Sequence, residues 1–104
     1  MASLPRPIVE AIRDFLTAVD RQWRIQAAFV YGSQIRGAAS RWSDIDLAIV
    51  SPDFPSDRFE ARLRLMRLAA LIDDRIEPNP YTPEDFDAND PLVGEIQRTG
   101  VRVA

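Results

Sequence analysis

Two short patterns carry residue types that could do chemistry. Gly32-Ser33 ends an apolar run, and after ten intervening residues Asp44 and Asp46 alternate with apolar side chains. Residues two apart on a strand point to the same face, so these carboxylates would repel each other unless a cation lay between them. Mg²⁺ prefers carboxylate oxygens and also accepts phosphate oxygens. The pair therefore predicts a platform for a metal ion and a phosphate group.

The glycine–serine pair predicts the complementary half of such a site. Glycine lets the backbone approach a phosphate closely, and the serine hydroxyl and the amides that open a helical turn donate hydrogen bonds to it. We expect that turn over residues 33–38. Arg36 lies beside it and could neutralise phosphate charge, or could instead pair with a nearby aspartate. Neither half is diagnostic alone; their order along the chain is the informative feature.

The composition excludes several other chemistries. The 104 residues carry a net charge of −3 and contain no His, Cys or Lys. A Ser–His–Asp triad, a thiol nucleophile, a zinc finger, a Schiff base and a Walker P-loop are therefore all excluded. Apolar runs reach only five residues and the first residues do not resemble a signal peptide, so we expect a soluble cytoplasmic protein without a membrane partner. The slight acidity gives no reason to expect nucleic acid as a direct ligand.

Hydrophobic periodicity and breakers predict one α/β unit over residues 1–104. Helices are expected over residues 7–21, from Ser56 or Asp57 to 72, and over 91–98, and strands over 25–31, 44–51 and 75–80. Residues 82–85 are a further helix-start signal. Pro78 and Pro80 suggest that the third strand lies at a sheet edge.

The second helix has an apolar and a basic set of residues. We expect one apolar face, formed by Phe59, Leu63, Met66 and Ala70 and widened by Leu65, Leu68 and Ile72. Arginines at positions 58, 62, 64 and 67 occupy much of the rest. They indicate a solvated surface, with an acidic partner or RNA as the alternative.

The motif resembles a known family signature. Gly32-Ser33, ten residues and Asp44-Ile45-Asp46 are similar to the polymerase-β-like nucleotidyltransferase superfamily, and most of all to its minimal nucleotidyltransferases (MNT). Arg36-Gly37, Ser43 and residues 75–78 extend the likeness over residues 25–80. The resemblance implies an α+β core, a small mixed sheet with helices packed on it.

The resemblance also implies an activity of the EC 2.7.7 type. Asp44, Asp46 and a third carboxylate would bind two Mg²⁺ ions, with Mn²⁺ as the alternative, and Gly32 and Ser33 would bind the triphosphate of ATP or another nucleotide. A nucleoside monophosphate is then transferred to an acceptor hydroxyl. Glu77, which helps to deprotonate that hydroxyl, is the preferred third carboxylate. Asp73 and Asp74 are its rivals, although they suit a polar turn.

Minimal nucleotidyltransferases commonly accompany a HEPN-domain toxin, and in some pairs they transfer AMP to a tyrosine of that toxin. The resemblance therefore implies an antitoxin in a heteromeric complex, with a homodimer as another way to complete so small a site. Two alternatives stay open. The chain could neutralise its partner by occlusion without catalysis, or it could modify a small hydroxylated molecule.

Overall fold

The structure, a computed structural model, describes residues 4–35 and 44–104. The elements run in the order α1 (Arg6–Asp20), β1 (Ala27–Tyr31), a 3₁₀ turn (Gly32–Gln34), β2 (Ile45–Val50), α2 (Arg58–Ile72), β3 (Ile76–Tyr81), α3 (Pro91–Thr99) and β4 (Val101–Arg102). Three helices and three strands therefore lie within about two residues of the predicted bounds. The α+β class is confirmed, whereas the single domain over 1–104 stays a prediction.

The four strands form one mixed sheet in the order β3-β2-β1-β4. β1 pairs with β2 and with β4 in antiparallel fashion, and β2 pairs with β3 in parallel. β4 is only two residues long, too short for periodicity to reveal, and it was not predicted. The order places β1 and β2 at the centre of the sheet, so the ends of these strands are held on both sides.

β3 is an edge strand, as its prolines predict. Tyr81 accepts a backbone hydrogen bond from Ser51, beyond the end of β2, at 3.0 Å. Since hydrogen-bonding groups alternate along a strand, Pro78 and Pro80 turn their backbone groups away from β2. Arg58 Nε donates to the outward carbonyl of Pro80 at 2.9 Å. The outer edge therefore lacks N–H groups at both prolines, and an arginine covers part of it.

The helices cover the two faces of the sheet. α1 and α2 pack on one face, where their apolar side chains join Val30, Ile45 and Leu47 in a buried cluster. α3 packs on the other face, where Val93 and Ile96 join a smaller cluster. Because β2 contributes apolar side chains to both clusters, its sequence reads as a nearly continuous apolar run.

α2 buries only part of the face that was predicted. Asp57 caps the helix, as expected, by accepting hydrogen bonds from the backbone N–H groups of residues 59 and 60. The buried residues are Ala61, Leu65 and Ala69. The residues expected to form the apolar face are exposed: Phe59 by 76%, Leu63 by 41%, Met66 by 42%, and Ala70 as well. The prediction is wrong for these four residues and right for the three that widened the face, since Leu65 is buried and Leu68 and Ile72 pack against the core cluster. α2 carries two apolar stripes, and the small alanines allow the closer approach to the sheet.

The helix-start signal at residues 82–85 produces only a turn. The backbone N–H groups of Asp85 and Phe86 both donate to the carbonyl of Thr82, at 3.1 and 3.0 Å. The chain does not continue as a helix because Phe86 turns inward and stacks on Phe29, with ring centroids 5.3 Å apart. Here burial of an aromatic ring outweighs a local helical preference.

We predict that the two leucines of α2 differ in their contribution to stability. Leu65→Ala removes a fully buried side chain and should lower the free energy of unfolding by about 2–5 kcal/mol. Leu63→Ala, a matched change on the exposed face, should cost less than about 1 kcal/mol. Urea denaturation of both variants measures the difference. Equal losses would show that Leu63 is as deeply buried as Leu65.

Candidate functional site

The two halves of the sequence motif meet at the end of β1. Gly32 has a φ of +78°, a backbone conformation that L side chains rarely adopt. A Cβ placed on Gly32 would lie 2.5 Å from Oδ2 of Asp46. Only glycine therefore permits both the turn and the close approach of this carboxylate. The contact joins the glycine–serine turn to the aspartate pair, as the sequence pattern predicts.

Asp46 lies between two polar residues on the same face of the sheet. Its register partners are Tyr31 on β1 and Glu77 on β3. Leu47, the next residue on β2, is buried on the opposite face with α1 and α2. Strands lie about 4.8 Å apart, so the backbone brings the carboxylate-bearing positions 46 and 77 side by side, on the face that carries α3.

The remaining motif residues surround this pair. Asp44 is exposed just before β2, and its carbonyl accepts a 3.4 Å hydrogen bond from Nε2 of Gln34. Ser33 is half-buried in the 3₁₀ turn that begins with Gly32. The predicted phosphate-binding Arg36 lies outside the described residues, as does the rest of the turn expected over 33–38. Five of the six predicted site residues thus lie in the part of the chain that the structure describes.

The structure distinguishes the three candidates for the third carboxylate. Asp73 receives hydrogen bonds from the guanidinium and the backbone N–H of Arg75, the shortest at 2.7 Å. These hydrogen bonds lower the pKa of Asp73. Asp74 is exposed in the turn before β3. Glu77 alone is a register partner of Asp46, although its Oε2 also lies 3.5 Å from Nη2 of Arg62.

The donor set suits a divalent cation in its chemistry. Asp44, Asp46 and Glu77 offer the hard oxygen ligands that Mg²⁺ prefers, and Asp46 and Glu77 occupy adjacent strands. Across residues 4–35 and 44–104, however, no three acidic side chains lie close enough to hold a metal ion together. The ion pair between Arg62 and Glu77 is one contact that a shared cation would have to replace. The three-carboxylate metal site stays a prediction.

A tyrosine and an asparagine complete the polar surface, and sequence reasoning did not identify either. Nδ2 of Asn79 donates to the hydroxyl oxygen of Tyr31 at 2.5 Å. Burial, followed by the charge of Asp46, raises the pKa of Tyr31 to about 12. The sequence could have indicated Asn79, because it lies two residues after Glu77 and therefore on the same face of the strand. The phenol is therefore neutral and oriented next to the carboxylates.

A cavity of about 280 Å³ adjoins the glycine turn and Asp46. Its lining comprises Tyr31, Gly32, Ile35, Asp46, Leu92, Glu95, Ile96 and Thr99. The last four belong to α3, and no sequence pattern indicates which face of the sheet that helix covers. A larger cavity of about 490 Å³ lies between α1 and the last residues of the chain. This larger cavity contains none of the candidate residues. The smaller cavity is therefore identified as part of the site by the residues that line it and not by its volume.

We predict that Gly32→Ala destabilises the protein mainly through Asp46. The alanine would occupy the left-handed region at a cost of roughly 1–2 kcal/mol and would also clash with the carboxylate. Removal of that carboxylate in Gly32→Ala/Asp46→Ala should recover part of the loss. Urea denaturation of the wild type, both single variants and the double variant gives the coupling energy. Strict additivity would contradict the close contact.

We predict that Tyr31 ionises far above its ordinary pKa of 10. In a Tyr81→Phe background, ultraviolet titration should show a midpoint well above 10, because burial and the charge of Asp46, the two largest causes, remain when the smaller contribution of Tyr81 is removed. Because the folded-state pKa is raised, the associated stability is complete below pH 10 and is lost as the pH rises towards 12. Asp46→Asn should lower the midpoint but leave it above 10, since burial is the larger cause. A midpoint of 10 in the Tyr81→Phe variant that retains Asp46 would refute the raised pKa of Tyr31.

Comparison with known proteins gives a family and a fold. Residues 12–98 match the nucleotidyltransferase domain family. No curated protein sequence matches the chain. Among the described residues, no helix is long and apolar enough to cross a membrane.

Several solved structures share this fold at low sequence identity. A Sulfolobus solfataricus protein assigned as a nucleotidyltransferase superimposes with a TM-score of 0.63 and 16% identity, over 92% of this chain and 78% of that one. A toxin–antitoxin structure with AMP-PNP gives a TM-score of 0.61 and 22% identity, over 90% and 70%. A mutant of the toxin–antitoxin MntA–HpeT gives 0.61 and 21% over the same shares. The family match covers most of the chain, and its glycine turn meets Asp46 as the motif requires: this protein belongs to the nucleotidyltransferase domain family and is a transferase of the EC 2.7.7 type.

Proposed function

We propose that this chain transfers AMP from ATP to a hydroxyl group of a partner protein, and that the partner is a HEPN-type toxin. The observation that carries the proposal is the contact of Gly32 with Asp46, because it brings a phosphate-binding turn against a carboxylate that can hold a metal ion. The family membership of residues 12–98 supplies the reaction class.

The neighbouring structures support the choice of nucleotide and partner. One is a toxin–antitoxin structure with AMP-PNP, an analogue of ATP. Another is a mutant of MntA–HpeT in which two aspartates, two positions apart, are exchanged for glutamates. Asp44 and Asp46 have the same spacing. We therefore assign this chain the antitoxin role, acting in the cytoplasm, where ATP is available.

The residues divide the work of the reaction. Gly32, Ser33 and Arg36 bind the triphosphate, and the cavity beside α3 has room for the nucleoside. The acceptor oxygen forms a bond to the α-phosphorus while the bond from that phosphorus to the bridging oxygen breaks, so that pyrophosphate leaves. Glu77 takes the proton of the acceptor hydroxyl, which requires Arg62 to release this carboxylate.

Divalent ions fit the remaining role. Two Mg²⁺ or Mn²⁺ ions bound by Asp44, Asp46 and Glu77 would neutralise phosphate charge and activate the acceptor oxygen. Tyr31 lies beside this group as a neutral phenol and adds no competing negative charge. The carboxylates are thus left as the anionic ligands for the cations, and the neighbouring phenol of Tyr31 stays uncharged.

We predict that transfer depends on the aspartate pair. With α-³²P-ATP, Mg²⁺ and the proposed toxin partner as acceptor, Asp44→Ala/Asp46→Ala should lower label transfer at least about 100-fold. Changes in supporting residues around a metal alone typically cost 10–100-fold. Chelation with EDTA should abolish transfer, and added Mg²⁺ should restore it. Asp74→Ala, which removes an exposed carboxylate outside the site, is the matched control and should retain activity.

The same double variant separates catalysis from its alternatives. If it still neutralises the toxin fully, the chain acts by occlusion. If the label accumulates on a small metabolite while protein stays unlabelled, the acceptor is a hydroxylated small molecule. Full label transfer by the double variant would show that the carboxylates of Asp44 and Asp46 are not needed for the reaction.

A further inference from the structure

The exposed side of α2 carries an apolar stripe that the fold does not use. Phe59, Leu63, Met66 and Ala70 recur at i, i+4, i+7 and i+11, and all four are exposed. We call these four residues the outer stripe. It lies on the side of α2 opposite to its buried alanines, and its three large side chains are more exposed than folding alone would favour.

Arginines flank the outer stripe on both sides. α2 carries four arginines and one acidic residue, Glu60, in a chain whose net charge is −3. Helical spacing places Arg62 on one side of the stripe and Arg67 on the other. Glu60 lies on the same side as Arg67, so the rims carry an excess of positive charge rather than positive charge alone. The surface is apolar along its centre and complements an apolar groove with acidic rims.

One rim of this surface reaches the proposed catalytic site around the β3 edge, since α2 covers the sheet face opposite to the one that carries Asp46 and Glu77. Arg62, at one rim of the outer stripe, has Nη2 3.5 Å from Oε2 of Glu77. Arg58, one turn earlier, lies over the ring of Tyr81 at 4.3 Å from its centroid. A protein seated on α2 would thus extend over the β3 edge and towards the carboxylates.

We propose that the outer stripe docks the acceptor protein, which receives it in an apolar groove rimmed by acidic side chains. The inference rests on the proposed transfer to a protein and names the surface that brings that protein to the site. The i, i+4, i+7 spacing is the arrangement by which an amphipathic helix inserts into a groove. Acidic groups of the partner that pair with Arg62 would also draw this arginine away from Glu77.

Two other occupants fit the surface less well. A second copy of this chain, docked stripe to stripe about a two-fold axis, would place arginine rims close to arginine rims. RNA would engage the arginines through phosphates, but of the four stripe residues only Phe59 offers a ring for base stacking. An acidic, groove-bearing protein uses both the apolar centre and the charged rims.

The test compares stripe variants with an exposed control on the same helix. Leu63→Asp, Met66→Asp and Arg67→Glu change the stripe or its rim, whereas Leu71→Asp changes a residue that is 84% exposed and lies outside the stripe. Each purified protein is incubated with α-³²P-ATP, Mg²⁺ and an extract of source cells that lack this chain. The readouts are the rate of protein labelling, ATP affinity by calorimetry and sedimentation of the purified protein.

We expect the wild type and Leu71→Asp to label the same protein at the same rate. The stripe variants should lower that rate at least about 10-fold, as loss of a buried interface anchor does, with ATP affinity unchanged. Raising the acceptor concentration should restore the rate. That pattern locates the defect in docking rather than in nucleotide binding.

The remaining outcomes overturn the inference and identify the cause. Equal labelling by stripe variants and wild type refutes docking at this surface alone and leaves the proposed function intact. If the wild type releases pyrophosphate but labels no protein, the proposed function fails first. A wild-type dimer that the stripe variants dissociate identifies a second copy as the occupant, and label that ribonuclease removes identifies RNA.

Discussion

The whole arrangement depends on one close approach, that of the Asp46 carboxylate to the backbone of Gly32. The space between them is smaller than a methyl group would need. This contact fixes the direction in which the chain leaves β1 and the position of the Asp46 carboxylate on β2. Since β1 and β2 are central strands, the sheet holds both partners from either side. The glycine–serine turn and the Asp46 carboxylate are thus both positioned by the two central strands of the sheet.

Electrostatics around this contact follow from the pairing of strands. The parallel register of β2 with β3 sets Asp46 beside Glu77, and the antiparallel register with β1 sets it beside Tyr31. Arg62 lies near the carboxylate of Glu77, and Asn79 donates a hydrogen bond to the phenol of Tyr31. The ion pair between Arg62 and Glu77 is partly exposed, so breaking it would cost little.

Local signals were sufficient for the three helices and for β1, β2 and β3. Caps, prolines and apolar periodicity define these elements because each acts over a few neighbouring residues. The alternation of Asp44 and Asp46 with apolar residues predicts the second strand, which the structure begins at Ile45, just after Asp44. What failed needed tertiary information. Two apolar stripes on α2 satisfy the same helical spacing, and only the packing distance to the sheet selects the alanines over Phe59 and Leu63.

The residues contributed by α3 are the other class that the sequence did not reveal. Nothing in the pattern of Leu92 or Glu95 says that their helix lies across the sheet face that carries Asp46. That depends on the path of the chain after β3, where Phe86 turns inward instead of continuing a helix. The cavity beside α3 could not be predicted without knowing the path of the chain after β3. That path depends on how Phe86 packs in the core.

The two prolines of β3 limit the ways in which this protein can associate. A strand from another chain extends a sheet by pairing with its free backbone groups. On the outer side of β3, Pro78 and Pro80 have no backbone N–H to donate. The carbonyl oxygen of Pro80 already accepts a hydrogen bond from Arg58. At the opposite end β4 is only two residues long. Continuous addition of strands is thereby disfavoured at both margins, which leaves recognition to side chains and protects a small sheet against fibrous self-assembly.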